Sequence, residues 1–78
     1  MYYTYILRLS SNQLYVGHTY DLKKRIAEHR RGGVKATKDR RPFELIYYSA
    51  FDSSAKARSF EKYLKSSSGK AFRNKRLI

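Results

Sequence analysis

Apolar and aromatic side chains crowd the chain from Tyr2 to Leu9, yield to Ser10-Ser11-Asn12-Gln13, and return from Leu14 to His18. Branched and aromatic residues favour extended backbone, and the polar stretch between them supplies turn chemistry, so the pattern predicts a β-hairpin. The apolar spacing then lengthens to that of a helix, with Leu22 and Ile26 one turn apart. Thr19 or Asp21 can cap this helix, which runs to about Arg31, where Gly32-Gly33 stops it. Val34 to Arg41 reads as a basic loop. Pro42 biases the residue before it toward extended geometry, and Phe43 to Phe51 reads as a third strand. Asp52, Ser53 and Ser54 offer caps for a second helix ending near Ser66, with Ala57, Phe60, Tyr63 and Leu64 as its inward stripe. Ser67-Ser68-Gly69 reads as a break, followed by a short basic helix from Lys70 to Ile78. The expected order is ββαβα, an α+β fold in which helices flank a three-stranded antiparallel sheet. No internal repeat or long linker divides it, so residues 1–78 read as one domain.

Composition narrows how such a fold is held and what it binds. A chain of 78 residues is small, and one this size buries only about 60% of its unfolded surface. It has no cysteine, so neither disulfides nor thiolate zinc sites can staple it. Packing must do so, and eight tyrosines and four phenylalanines supply large buried areas. Strand-like sequence from Met1 leaves no room for a signal peptide. No apolar run approaches the roughly 20 residues of a membrane span. A soluble, cytoplasmic protein is expected.

Charge changes the picture most. Eighteen Lys and Arg against six Asp and Glu leave a net +12. Such a field attracts polyanions, either nucleic acid or anionic membrane. Neither main helix sets a broad apolar face against a basic one, as interfacial anchors do, so nucleic acid is the expected partner. Lys35, Lys38, Arg40 and Arg41 in the loop, with Lys70 and Arg73 near the end, are candidate phosphate contacts. A solvated, solubilising surface would explain the same residues.

Helical spacing singles out further candidates. At about 100° per residue, Arg25 and His29 fall within ~60° of Leu22, while Lys23, Lys24, Glu28, Arg30 and Arg31 point elsewhere. Arg25 and His29 therefore border the core side and face the hairpin, as site residues or as a core-rim arginine and a satisfied histidine. Among the acids, Asp21 and Asp52 are explained as caps, Glu28 as a surface ion pair, Asp39 by the basic loop and Glu44 by a strand entrance. Glu61, at the margin of the second helix's inward stripe, is free to bind a hard cation. An i,i+4 pair with Lys65, worth a few tenths of a kcal/mol, explains it equally. Alternation places Tyr3 and Tyr5 on one face of the first strand, and Tyr15 and Gly17 on one face of the second. Tyr5 and Tyr15 could form a cross-strand aromatic pair. Gly17 weakens a strand unless a bulge or the close approach of another group needs it, which argues for something more.

Taken together, Tyr3-Thr4-Tyr5, Tyr15-Val16-Gly17, Arg25, His29 and Glu61 in Phe60-Glu61-Lys62-Tyr63 resemble the GIY-YIG nuclease family. That family's signature is two tyrosine-bearing strand motifs about ten residues apart, an arginine-bearing helix and a glutamate on a later helix. Asp21-Leu22, Arg41-Pro42 and the Ser-Gly-Lys-Ala-Phe run at 68–72 resemble its small stand-alone bacterial members, so the likeness spans essentially the whole chain. Tyr3-Thr4 stands in place of the first motif's Gly-Ile. The resemblance implies a metal-dependent endonuclease hydrolysing DNA phosphodiesters, set in DNA repair or recombination and associated with the nucleoid when bound. Glu61 would hold Mg²⁺ or Mn²⁺, and Arg25 would grip the scissile phosphate. Tyr5 or Tyr15 would activate water, with His29 relaying the proton or contacting phosphate. All five are expected to converge on one concave surface. The alternative is a module of the same fold that binds nucleic acid with little or no catalysis.

Overall fold

The computed structural model describes residues 1–77. Along the chain these form β1 (Tyr2–Arg8), β2 (Leu14–Thr19), α1 (Leu22–Arg30), a 3-10 turn (Lys38–Arg40), β3 (Glu44–Phe51), α2 (Ser54–Lys65) and α3 (Ser67–Arg76). The expected antiparallel three-stranded sheet is present, in the order β2-β1-β3. β1 is central because it is the most continuously apolar strand, and Thr4, Tyr5, Ile6 and Leu7 are all fully buried. A helix covers each face. Tyr5, Leu7 and Leu9 pack with Ile26 of α1 on one side, and Ile6 and Val16 pack with Leu64 of α2 on the other.

Two hairpin pairs sit where the site will form: Tyr5 faces Gly17 across the β1–β2 ladder, and Leu7 faces Tyr15. On the other side of β1 the register shifts between Ile6 and Leu7, which pair with Tyr47 and Leu45 of β3. Ile46 is the extra residue of that bulge, and with Tyr47 it packs on the α2 side. Simple alternation cannot place two successive residues on one face.

Side chains cap the helices as their residue types suggest. Asp21 Oδ1 accepts the Lys24 N–H (3.0 Å), and Ser53 Oγ accepts the Lys56 N–H (3.1 Å). Gly32, at φ +83°, ends α1 in the left-handed region that favours glycine. Two expectations are corrected. Ser67, Ser68 and Gly69 do not break the chain; they form the first turn of α3, capped by Ser66 Oγ on the Gly69 N–H (3.1 Å). Glycine stands there because α3 lies tightly on α2, where any Cβ would run into the Tyr63 carbonyl oxygen. The expected terminal helix thus starts earlier, and its last residue, Ile78, lies outside the described residues. Tyr63 is not core: it is 41% exposed and stacks between Phe60 and Phe72. It sits about 100° from Leu64 around the helix, on the flank of the buried stripe.

Candidate active site

Burial of a polar chain marks the α1 face. Tyr5, His29 and Thr37 are each fully buried, and they are hydrogen-bonded in series. Tyr5 Oη lies 2.8 Å from His29 Nε2, and His29 Nδ1 lies 2.7 Å from Thr37 Oγ1. The Thr37 hydroxyl donates to the Val34 carbonyl (3.5 Å), which leaves its oxygen free to accept the His29 Nδ1–H. His29 Nε2 is then the acceptor, and the Tyr5 hydroxyl donates to it. Thr37, in the loop after α1, carried no signal in the sequence.

Both titratable partners are pushed toward their uncharged forms. Burial, reinforced by the nearby Arg25 guanidinium, lowers the His29 pKa to about 4. Burial raises the Tyr5 pKa to about 12, although Arg25 beside the hydroxyl pulls it the other way. At neutral pH the resting pair is a phenol and a neutral imidazole.

Gly17 explains why Tyr5 can lie where it does. A Cβ at Gly17 would stand 2.5 Å from Tyr5 Oη and 2.6 Å from its Cζ. The close approach suggested by a glycine inside a strand is thus the ring of Tyr5 itself. Tyr15, half-buried, closes the other flank, with its ring 6.3 Å from Tyr5 and 5.2 Å from His29. Phe43 packs edge-on against His29 at 5.9 Å. Arg25 stands at the rim, half-buried, with Glu28 Oε1 3.6 Å from its Nη1.

Glu61 comes to the site by another route. It belongs to α2, so it lies beyond the opposite face of the sheet from the tyrosine rings. The expectation of a single concave face is corrected here: four of the five side chains gather under α1, while Glu61 contacts His18 and Lys65 at the free edge of β2 and touches none of the four. It remains near enough for its charge to push the Tyr5 pKa upward. Its partner at that edge is His18, which follows Gly17 and therefore points to the α2 side. Glu61 Oε1 contacts His18 Nδ1 closely, and Oε2 accepts from Lys65 Nζ at 2.6 Å. Burial alone would raise the Glu61 pKa, yet hydrogen bonds from Lys65 and His18 overrule it and hold the carboxyl below its ordinary value. The i,i+4 pair with Lys65 exists, and His18 is a contact that sequence reasoning missed. A cleft beside the β2 edge is lined by His18, Thr19, Arg25, Glu28 and Ser54.

The basic candidates divide into two kinds. Lys35, Lys38 and Lys70 are exposed and make no ion pair among the described residues. The arginines are tied to the protein. Arg40 Nη1 donates to Gln13 Oε1 (3.0 Å), and Arg41 donates to the carbonyls of Lys38 and Arg30 (2.9 Å each). Arg73 is half-buried, with Nη1 3.4 Å from the Leu64 carbonyl at the end of α2. Arg40 and Arg41 remain exposed and hold the basic loop against α1 and the hairpin.

This arrangement of tyrosines, arginine, histidine and remote glutamate agrees with a match to the GIY-YIG catalytic domain over residues 1–76. The chain belongs to the GIY-YIG family. It is similar to a UPF0213 protein of Streptococcus pyogenes serotype M5 (strain Manfredo), 47% identical over 64 residues, covering 81% of this chain and 70% of that one. A UPF0213 protein of Pediococcus pentosaceus is 46% identical over 61 residues, covering 77% of this chain and 64% of that one. Among solved structures, the solution NMR structure of a UPF0213 protein from Bacillus halodurans superposes with a TM-score of 0.60 at 35% identity. That likeness covers 96% of this chain and 84% of the other. The GIY-YIG architecture is therefore shared along nearly the whole length.

Proposed function

We propose that this GIY-YIG domain is a divalent-metal-dependent endonuclease that hydrolyses phosphodiester bonds in DNA. The observation that carries the reading is the buried Tyr5–His29–Thr37 chain, whose Tyr5 hydroxyl lies beside the Arg25 guanidinium at the rim. Fully burying a phenol and an imidazole with every polar atom aligned is costly for a small domain, and it gives a proton somewhere to go. A water attacking phosphorus would pass its proton to Tyr5 Oη as Tyr5 passes its own to His29 Nε2. The new charge on the imidazolium is met by Thr37 through Nδ1–H. The separation between about 12 and about 4 means that this transfer belongs to the transition state and not to the resting enzyme. A phosphate arriving at Arg25 offsets the cationic field that depresses His29, and so makes the imidazole a better acceptor. Tyr15 holds the relay in place through its ring contacts with Tyr5 and His29 and supplies a second hydroxyl near the phosphate. Arg25 offers its planar donor fork to the non-bridging oxygens.

Glu61 fits a metal ligand of limited kind. Its carboxyl is kept ionised, and two donors, His18 and Lys65, fill the lone pairs that a cation and its waters would take. Among the described residues no group of three acidic or imidazole side chains gathers. A single carboxylate with much retained hydration suits Mg²⁺, or Mn²⁺. When bound, such an ion would add positive charge at the phosphate and at the leaving oxygen. The same closed-off carboxylate is what favours the alternative, a nucleic-acid-binding module with weak or absent catalysis. Purified protein incubated with supercoiled, branched and single-stranded DNA, in Mg²⁺, Mn²⁺ or chelator, tests the choice. Nicking that requires the metal is expected, while tight binding with no nicking under any condition would reject the nuclease and leave the binding module.

A further inference from the structure

We infer that the open cleft between α1 and β3 is a base-stacking subsite for an unpaired stretch of the DNA held at the candidate active site, an inference that rests on the nuclease reading. The cleft has a volume of about 860 Å³, room for more than one planar ring. It is bounded by Leu22, Ile26 and Arg30 of α1 on one side and by Leu45 and Tyr48 of β3 on the other. Its floor is apolar and aromatic, formed by Tyr3, Tyr48, Ile26 and Leu45. Tyr3 and Tyr48 meet edge to face at 6.3 Å, and Tyr48 is 55% exposed, so a ring face is offered to solvent. Tyr3 occupies the glycine position of the first family motif, which makes this floor more aromatic than the motif requires.

Charge selects the occupant. Lys23, Arg30 and Arg31 rim the cleft. Its one acid, Asp21, has Oδ1 engaged in capping α1. A second copy of the chain would bring +12 against +12, which opposes self-association through this face. A nucleic acid strand complements both features, with bases stacking on the tyrosines and phosphates meeting the rim. The surface also continues from the site. Phe43, in contact with His29, lies under the Arg30 guanidinium at 5.9 Å, and Arg30 lines the cleft.

Fluorescence anisotropy in chelator, where no cutting occurs, tests the subsite with three probes. These are a blunt duplex, the same duplex with a single-stranded tail, and the same duplex with an abasic tail. The normal tail should bind more tightly than the abasic one. Tyr48→Ala should weaken tail binding on the order of tenfold. Tyr48→Phe should retain it, and the blunt duplex should change by less than about twofold in either variant. Equal binding of the normal and abasic tails, or equal weakening of all three probes by Tyr48→Ala, would overturn the inference. Light scattering that shows Tyr48→Ala converting a dimer to a monomer would overturn it too, by giving the cleft to a second copy. Failure of the unmodified protein to bind any probe would remove the nuclease reading itself. Duplex binding indifferent to the tail would remove only the stacking subsite.

Discussion

On the α1 side of the sheet, Tyr5, His29 and Thr37 are fully enclosed, and each polar atom in the series meets the next at 2.7 to 2.8 Å. On the α2 side, Glu61 stands near the surface between two basic side chains, with His18 and Lys65 themselves 41% and 53% exposed. The first arrangement is held by packing, since Gly17, Tyr15 and Phe43 leave the rings no other place to lie. The second is held by charge in contact with water, where such pairs contribute about 0–1 kcal/mol and exchange readily. Under the proposed reaction, a group that transfers a proton along one line gains from rigidity. A carboxylate that exchanges His18 and Lys65 for an ion and its waters, as proposed for Glu61, gains from being easily opened. The same small domain supplies both by using opposite faces of one sheet and the free edge of β2.

The largest break in this contrast should come from Tyr5→Phe, which removes one hydroxyl and leaves the packing intact. Cleavage in single-turnover assays should fall by roughly 10²–10⁴, the range for loss of a general base, while the melting temperature falls by only several degrees, because the buried His29 Nε2 loses its donor. Retained cleavage would take the relay out of the mechanism and leave Tyr15 as the base. Glu61→Gln should slow cleavage by a smaller but still large factor, about 10²-fold, and abolish Mn²⁺ binding measured by titration calorimetry. Because its ion pairs are weak, the fold should tolerate this change to within about 1 kcal/mol in denaturant titration. Wild-type Mn²⁺ affinity in that variant would move the metal elsewhere.

Stability against pH sharpens the comparison, since Glu61, held below its ordinary value, adds only a loss in acid below the usual carboxylate range, while the buried pair acts at higher pH. The folded pKa of His29, about 4, lies below its ordinary value of 6.5, so the unfolded chain binds the extra proton between them. Stability from this group is complete above pH ~6.5 and lost as pH falls toward 4, by roughly 3 kcal/mol in all. Tyr5 has the opposite sign: its pKa is raised from 10.0 to about 12, so its contribution is complete below pH 10 and lost as pH rises toward 12. Melting curves of His29→Gln should show a flatter acid limb than the unmodified protein. An unchanged acid limb would mean that His29 is not buried neutral.

The smallest effects belong to the exposed lysines. Replacing Lys35, Lys38 or Lys70 by Ala should each lower the slope of log K against log salt by about 0.9 on duplex DNA if that lysine meets a phosphate. The same change at Arg41 should cost stability as well, because its guanidinium ties Lys38 and Arg30 together. A salt slope indifferent to all three lysines would mark them as solubilising charge.

Local spacing by itself determined the hairpin and the inward turn of His29 beside Leu22 and Ile26, and narrowed the helix caps to Thr19 or Asp21 and to Asp52, Ser53 or Ser54, of which the structure uses Asp21 and Ser53. Those features depend on residues within a few positions of one another, and the 2.0 and 3.6 periodicities set them before any long-range contact forms. The glycine at position 17 also announced a close approach, although not by what. Only the tertiary structure decided that Tyr5 fills the space over Gly17, that Thr37 completes the chain behind His29, and that the Ile46 bulge turns two successive residues toward α2. It alone placed α1 and α2 on opposite faces, and so separated Glu61 from the tyrosines and gave it His18. It also kept Ser67 to Gly69 helical, because α3 lies so close on α2 that only a glycine fits at position 69. Alternation says which residues share a face of a strand. What covers that face depends on how distant elements pack, and no local pattern carries that information.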